Sequence, residues 1–268
     1  MYNFEYQKPR SLADAAKAIG GAEDGKLLAG GMTLVPTLKQ RLAKPSDLVD
    51  LGSIAELKGI KKEGNAIVVG AMTKQVEVAT SDVVKGAIPA LAQLAEMIGD
   101  PQVRNRGTLG GSIANNDPAA DYPAAVVALN ATVITNKRKI AADEFFKGMF
   151  ETALEPAEII VRISFPLVNK AAYEKFRNQA SRYALVGVFV ARRPSDVRVA
   201  VTGAGSEGVF RVTAFEEALK KRFSAKALDG IEVPAEGLNS DIHGSAEYRA
   251  HLIGVMTRRA VDAANAKE

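Results

Sequence analysis

"GKLLAGGMTLVPTLKQRLAKPSDLVDL", residues 25–51, is the stretch on which the fold turns. "GKLLAG" reads as a buried strand, and Leu34, Val35, Leu38 and Leu42 share one face of a helix that runs up to Pro45. "DLVDL" follows as a second strand. Thr33, a hydroxyl residue directly before the periodic run, is the expected helix cap. Strand, helix and strand with short joints make a parallel βαβ unit, and Gly30-Gly31 falls at its first strand-to-helix turn. Adjacent glycines cost backbone entropy, so they mark positive φ or a backbone that something approaches closely. The same device recurs in "RGTLGGSIANNDPAAD", residues 106–121.

Working outward, Ser11 precedes a short amphipathic helix with Leu12, Ala15, Ala16 and Ile19 on one face, stopped by Gly20-Gly21. After residue 58 the texture changes. "IKKEGNAIVVGAMTKQVEVAT" reads as strand, turn and strand about Gly64-Asn65, which opens a second subdomain. "IPALAQLAEMIG" and "PAAVVALN" are helical, with Asn130 at a helix end. "ATVIT" and "AEIIVRISFP" are strands, the latter closing at Pro166. "VNKAA", residues 168–172, reads as a linker. "YEKFRNQ", "ALVGVFVARR" and "DVRVAVTGAG" then alternate as an antiparallel sheet, followed by helical patterns at "AFEEALKKRF" and "SAEYRAHLIGVMTRRAVDAANA". In the last of these Tyr248, Leu252, Val255 and Met256 share a face. The plan is α+β: an N-terminal domain, 1–167, split into subdomains of about 1–58 and 59–167, and a C-terminal domain, 168–268, of sheet and helices.

With 47% apolar and 25% charged residues, the 268-residue chain falls in the globular class, and disordered or fibrous classes are excluded. A net charge of +4, spread without a basic stripe or interleaved aromatics, gives no footprint for nucleic acid. No cysteine is present, so the chain has no disulfide, thiolate nucleophile or iron–sulfur cluster of its own. The N-terminus lacks the pattern of a signal peptide, and the longest apolar run, Tyr183 to Ala191, is roughly half a membrane span. A cytoplasmic protein is expected.

Gly203, Gly205 and Gly208 in "VTGAGSEGVF" satisfy a dinucleotide-binding glycine spacing, but "VFRV" follows where that motif needs a helix. A loop between strands explains them. His243 and His251, the only histidines, have no metal-ligand spacing and read as loop and helix-face residues. Asp117 and Asp121 pair as possible acid–base carboxylates or, structurally, as the cap and first turn of a helix led by Pro118. The glycine loops carry the more specific chemistry, because backbone amides at glycine turns and helix starts can surround a pyrophosphate. Ala29 to Thr33 form one set of donors. Thr108, Gly110, Gly111, Ser112 and Asn115 form the other. Neither loop has a phosphate-charge lysine, which argues against phosphoryl transfer. Tight turns that merely pack closely remain the structural alternative.

"AGGMTLVPTLKQRLAKPSDLVDL" and "GDPQVRNRGTLGGSIANNDPAADYPAAVVALNATV" resemble the FAD-binding medium subunit of the molybdenum hydroxylases, the aerobic carbon monoxide dehydrogenase and xanthine dehydrogenase group. The likeness continues through "DEFFKGMFETALEPAEIIVRISFP" and "YEKFRNQASRYALVGVFVA" into "FRVTAFEEAL". It implies a vanillyl-alcohol oxidase-like (PCMH-type) FAD-binding domain and the small C-terminal domain of that subunit. Carried over, Ala29, Gly30, Gly31, Met32, Thr33 and Leu34, with Thr108, Gly110, Gly111 and Ser112, would cradle the FAD pyrophosphate. Asn115, Asp117 and Asp121 would lie near the flavin nucleotide, and Lys175, Tyr183 and Leu185 at the edge that covers the isoalloxazine. Met32 stands where relatives carry a polar residue. The resemblance further implies an oxidoreductase subunit without its own catalytic or metal-binding residues. A small subunit would hold [2Fe-2S] clusters and a large one the molybdenum cofactor, in a dimer of heterotrimers that passes electrons through FAD to NAD, a quinone or oxygen. A free-standing FAD oxidoreductase and a flavin-less assembly subunit are the alternatives.

Overall fold

A computed structural model describes residues 1–266. The first lobe runs β1 (Glu5–Gln7), α1 (Leu12–Gly21), β2 (Gly25–Leu28), α2 (Leu34–Lys39) and β3 (Asp47–Asp50). Its strands form a parallel sheet in the order β1-β3-β2, so the predicted βαβ unit is present. Ser11 caps α1 by accepting from the Asp14 amide at 3.1 Å. Two details differ from the sequence reading. Thr33 makes no capping bond, because its own φ and ψ of −101° and −50° are already helical. The helix also stops at Lys39: Arg41 turns left-handed (φ +60°), the Leu42 amide folds back to the Thr37 carbonyl at 3.1 Å, and Leu42 is left exposed.

The second lobe begins with the predicted hairpin, β4 (Ile60–Glu63) and β5 (Ala66–Gly70), turning at Gly64 with φ +55°. The continuation read as strand is instead helical. Gln75–Thr80 forms α3, started by the Glu77 carboxylate accepting from the Lys74 amide at 2.7 Å and anchored by buried Val78 against the helix at Pro89–Glu96. Then come α4 (Asp82–Ala87), α5 (Pro89–Glu96), α6 (Pro101–Arg106), α7 (Leu109–Asn115) and α8 (Tyr122–Ala128). The rest of the lobe is β6 (Thr132–Thr135), β7 (Lys139–Ala141), α9 (Ala142–Phe145), the small hairpin β8 (Phe146–Gly148) and β9 (Glu151–Thr152), and β10 (Ile160–Pro166). Its antiparallel sheet has the order β4-β5-β10-β6-β7. The second glycine motif is therefore the first turn of a helix rather than a loop.

The C-terminal part contains β11 (Lys170–Arg177), β12 (Ala184–Arg192), β13 (Val197–Thr202), β14 (Phe210–Arg211), α10 (Thr213–Lys221) and α11 (Ala246–Asn265). The four strands pair antiparallel in sequence order. Lys170 is already paired with Arg192, so the expected linker, residues 168–172, shrinks to the few residues before β11. Strand β12 is apolar from Ala184 to Ala191 because both faces are covered. Val186, Val188 and Val190 pack with α10 and α11, whereas Phe189 and Ala191 join the core of the second lobe. Arg198 fastens this seam with a bond to the Val127 carbonyl at 3.0 Å and a two-pronged contact to Asp143 at 2.8 and 3.0 Å. Gly203, Gly205 and Gly208 lie between β13 and β14 with no helix opening on them, as the sequence suggested. Among the described residues no helix is long and apolar enough to cross a membrane.

Candidate functional site

The three parts meet around a cavity of about 470 Å³, within the range typical of small-molecule sites. Its wall includes Ala29, Gly30, Gly31, Met32, Thr33 and Leu34 from the β2–α2 turn. A Cβ built on Gly30 would lie 2.1 Å from the Arg106 carbonyl oxygen and 2.9 Å from the Gly107 Cα. Glycine is needed there so that the first loop can touch the segment leading into α7. Gly31 supplies the left-handed φ of +77° that swings the chain into α2. The amides of Gly30, Gly31, Met32 and Thr33 donate to no acceptor among the described residues. A helix start with open amides at a cavity wall is suited to an anion.

The second motif behaves differently from the first. Gly110 abuts Ala71, whose Cβ would lie 2.5 Å from an added side chain. The Leu109 amide donates to Thr73 at 3.1 Å and the Gly110 amide to Ala71 at 2.8 Å, both at carbonyls. The Thr108 hydroxyl accepts from the Gly111 amide at 3.1 Å, and the Thr108 carbonyl from Ser112 at 3.1 Å. These four amides are thus used inside the protein, which corrects the expectation that Gly110, Gly111 and Ser112 offer backbone donors. Thr108, Gly110, Gly111, Ser112 and Asn115 still line the cavity, and Ser112 and Asn115 contribute polar side chains to it.

Asp117 and Asp121 also line the cavity, but neither acts as the sequence suggested. Helix α8 starts at Tyr122 rather than at Pro118, and Asp117 accepts from the Ala119 amide at 2.9 Å in the preceding turn. Asp121 is enclosed in a buried ion pair with Lys175 of β11 at 2.9 Å, the two side chains only 4% and 1% exposed. The Tyr173 hydroxyl donates to the same carboxylate, and the Lys175 ammonium also reaches the Met97 carbonyl at 3.1 Å. Burial pushes the Asp121 carboxyl up, with Lys175 and Tyr173 pulling against it. Lys175 therefore stands behind the wall rather than in it. Leu185 packs in the C-terminal core and is likewise not among the lining residues. Tyr183 does line the cavity, half exposed, its phenol pushed up by burial and then by the charges of Asp117 and Asp121.

The lining residues that escaped the sequence reading include Lys26, Gln75, Glu158 and Arg182. Lys26 lies on β2, three residues before Ala29, and pairs with Asp24 at 3.1 Å. Gln75 lies on the helix mistaken for strand, and its side-chain oxygen is buried without a partner. Burial raises Glu158, but Arg138, the Glu155 amide and the Thr135 hydroxyl outweigh it and hold the carboxyl down to about 2. Arg182, left-handed at φ +62°, reaches from the β11–β12 turn to the Gly99 carbonyl at 3.3 Å, across the seam between the second lobe and the C-terminal sheet. That turn is held by Asn178, whose side-chain oxygen accepts from Ala180 at 2.9 Å and from Ser181 at 3.1 Å. Its only trace in sequence was a polar gap between strands.

A cavity with open helix-start amides, walled by two α/β lobes and a C-terminal sheet, suits a protein that binds an anionic cofactor such as a nucleotide. Residues 2–168 match the family described as FAD binding domain in molybdopterin dehydrogenase, and residues 171–264 the CO dehydrogenase flavoprotein C-terminal domain. The carbon monoxide dehydrogenase medium chain of Hydrogenophaga pseudoflava is 37% identical, over 98% of both chains. The nicotine 6-hydroxylase medium subunit of Paenarthrobacter nicotinovorans is 36% identical, over 98% of this chain and 97% of that one. A solved structure of the Hydrogenophaga pseudoflava carbon monoxide dehydrogenase, lacking the Mo-pyranopterin moiety, superposes with a TM-score of 0.88 at 38% identity, covering 98% of both chains. The chain belongs to the FAD-binding medium subunits of the molybdenum hydroxylases, and is an oxidoreductase subunit of that family.

Proposed function

We propose that FAD occupies the cavity with its pyrophosphate on the open amides of Gly30 to Thr33. The amides of this loop carry the reading: donors facing a cavity wall with no protein acceptor call for an anion. The Thr33 and Ser112 hydroxyls and the Asn115 amide supply further polar contacts. Residues 1–167 form the flavin-holding domain, and 168–268 the domain that closes the cavity through Ser181, Arg182 and Tyr183.

When bound, FAD supplies the redox chemistry, taking electrons that originate at a molybdenum centre and arrive through [2Fe-2S] clusters, and passing them to an external acceptor. This chain orients the cofactor, screens it from water on three sides and sets the charges around it. Lacking cysteine, it leaves the clusters to a small subunit and the molybdenum cofactor to a large one, in a cytoplasmic dimer of heterotrimers. The relatives named above act on different substrates with the same medium-subunit fold, so substrate choice falls to the large subunit. The test is an absorption spectrum of the purified chain with and without FAD, joined to affinity purification from the native host. Flavin absorption with two co-purifying subunits, one of them iron–sulfur, is the expected result. A chain that ignores FAD overturns the reading, and bound flavin without partners replaces it with a free-standing oxidoreductase.

A further inference from the structure

One carboxamide in the cavity wall has no hydrogen-bond partner among the described residues. Gln75, the first residue of α3, is 5% exposed and lines the cavity together with Gly30 and Gly107. Its backbone is fastened, since the Gln75 amide donates to the Gly107 carbonyl at 2.9 Å and Lys74 bridges to Thr108. The side chain is not. Its oxygen is enclosed and accepts from nothing, and its nitrogen, which is not enclosed in this way, donates to no acceptor among the described residues. Burying an amide without a partner is unfavourable, and an apolar side chain of the same length would fill the space without that penalty, so stability gives no account of a glutamine here. The surrounding glycines nevertheless make room for it. A Cβ on Gly107 would lie 2.7 Å from the Gln75 nitrogen, 2.9 Å from its Cδ and 3.0 Å from its oxygen, so the whole carboxamide rests against the bare Gly107 Cα. Gly30 packs on the same residue, where its own added Cβ would come within 2.9 Å of the Gly107 Cα. Gly107, which belongs to neither glycine pair, is thus the piece through which Gln75 meets the loop of open amides.

We propose that Gln75 is a cofactor-binding residue whose carboxamide nitrogen donates to the FAD pyrophosphate, beside the open amides of Gly30 to Thr33. The inference rests on FAD being the occupant of this cavity. The enclosed oxygen faces protein and the nitrogen is the end left at the wall, so the side chain presents a donor there. A donor suits the same anion that the open amides call for. The carboxamide carries no charge, so it adds a hydrogen bond to the pyrophosphate without the lysine that both glycine motifs lack. It brings α3 into the site as a third element beside those two motifs.

The test is a titration of the full chain with FAD, read by quenching of flavin fluorescence, beside thermal unfolding of the apoprotein, for wild type, Gln75→Met, Gln75→Glu and Gln75→Asn. Gln75→Met keeps the length of the side chain and removes both polar atoms. It is expected to raise the melting temperature of the apoprotein, because the unpartnered amide is gone. It is also expected to bind FAD about ten to a hundred times more weakly, the range for one hydrogen bond to a charged group. A side chain that only packs would move both readings in the same direction. Gln75→Glu separates donor from acceptor: a carboxylate keeps an oxygen at this place, offers no proton and repels the pyrophosphate, so it is expected to bind FAD more weakly than Gln75→Met. Should Gln75→Met fail to fold, Gln75→Asn, which draws the carboxamide back by one methylene, carries the affinity prediction. Wild-type affinity in folded Gln75→Met, or in Gln75→Asn where it stands in, overturns the proposal. So does a loss of affinity in Gln75→Met that comes with a lower melting temperature of the apoprotein, and so does Gln75→Glu binding more tightly than Gln75→Met. If wild type itself takes up no FAD, the cofactor reading fails and this inference with it, a result seen before any variant is compared.

Discussion

Gly30→Ala is the sharpest perturbation of the first loop, because its effect follows from a contact with backbone rather than with a movable side chain. An ordinary contact begins at 3.4 Å, whereas the new methyl would lie 2.1 Å from the Arg106 carbonyl oxygen, a shortfall of about 1.3 Å. The Arg106–Gly107 segment leads directly into α7, whose first amides are tied to Ala71 and Thr73, so it has little freedom to retreat. The loop carrying Gly30 must move instead, taking its open amides with it. Overpacking of this kind costs about 1–3 kcal/mol, and a main-chain obstacle puts it at the upper end. If the strain falls on the cofactor-binding arrangement, FAD affinity drops by roughly a hundredfold at 1.4 kcal/mol per factor of ten. The assay is fluorescence titration with FAD beside thermal unfolding of the apoprotein, which together divide the cost between affinity and stability. Gly86→Ala is the matched control: a Cβ at that helical position meets nothing within 4 Å, and about 0.5–1 kcal/mol of added stability is expected from helix propensity. Wild-type affinity and stability in Gly30→Ala would refute the close approach of the two glycine motifs on which the site is built.

The other predictions concern the wall and the seam. Thr33→Val should weaken FAD by less than about tenfold and leave stability within about 0.5 kcal/mol, since the amide remains and the hydroxyl caps nothing. A large fall in melting temperature would show a capping role after all. Glu158→Gln should lower the melting temperature at neutral pH. Because the folded carboxyl is depressed to about 2, its contribution is full above the unfolded value of about 4.3 and disappears as pH falls between the two. A deficit that stays constant down to pH 2 would contradict the pairing with Arg138. Arg198→Met, which strips the Val127 carbonyl and the half-exposed Asp143 of their shared partner, should cost about 1–3 kcal/mol in thermal unfolding. An unchanged melting temperature would mean that this contact does not fasten the C-terminal sheet.

The sequence by itself determined the βαβ unit at residues 25–51, the hairpin at Gly64-Asn65 and the three long strands of the C-terminal sheet, because each is a local pattern of period two or 3.6 closed by glycine or proline. It also singled out both glycine pairs, and its likeness to the flavin subunits agrees with the family to which the chain belongs. Period alone misled at Gln75–Thr80, a short segment whose helical state depends on a Glu77 cap and on packing against α5. It could not say which way the glycines face. Only the folded chain decides that the missing side chains of Gly30 and Gly110 make room for protein, that the first amides of α7 are consumed by Thr73, Ala71 and Thr108, and that those of the first loop stay open. The pairing of Asp121 with Lys175 is likewise invisible along the chain, since the two residues come from opposite sides of a seam and meet only where both are buried. Local propensity is written in neighbours, whereas a binding site depends on which donors the rest of the fold leaves unpaired.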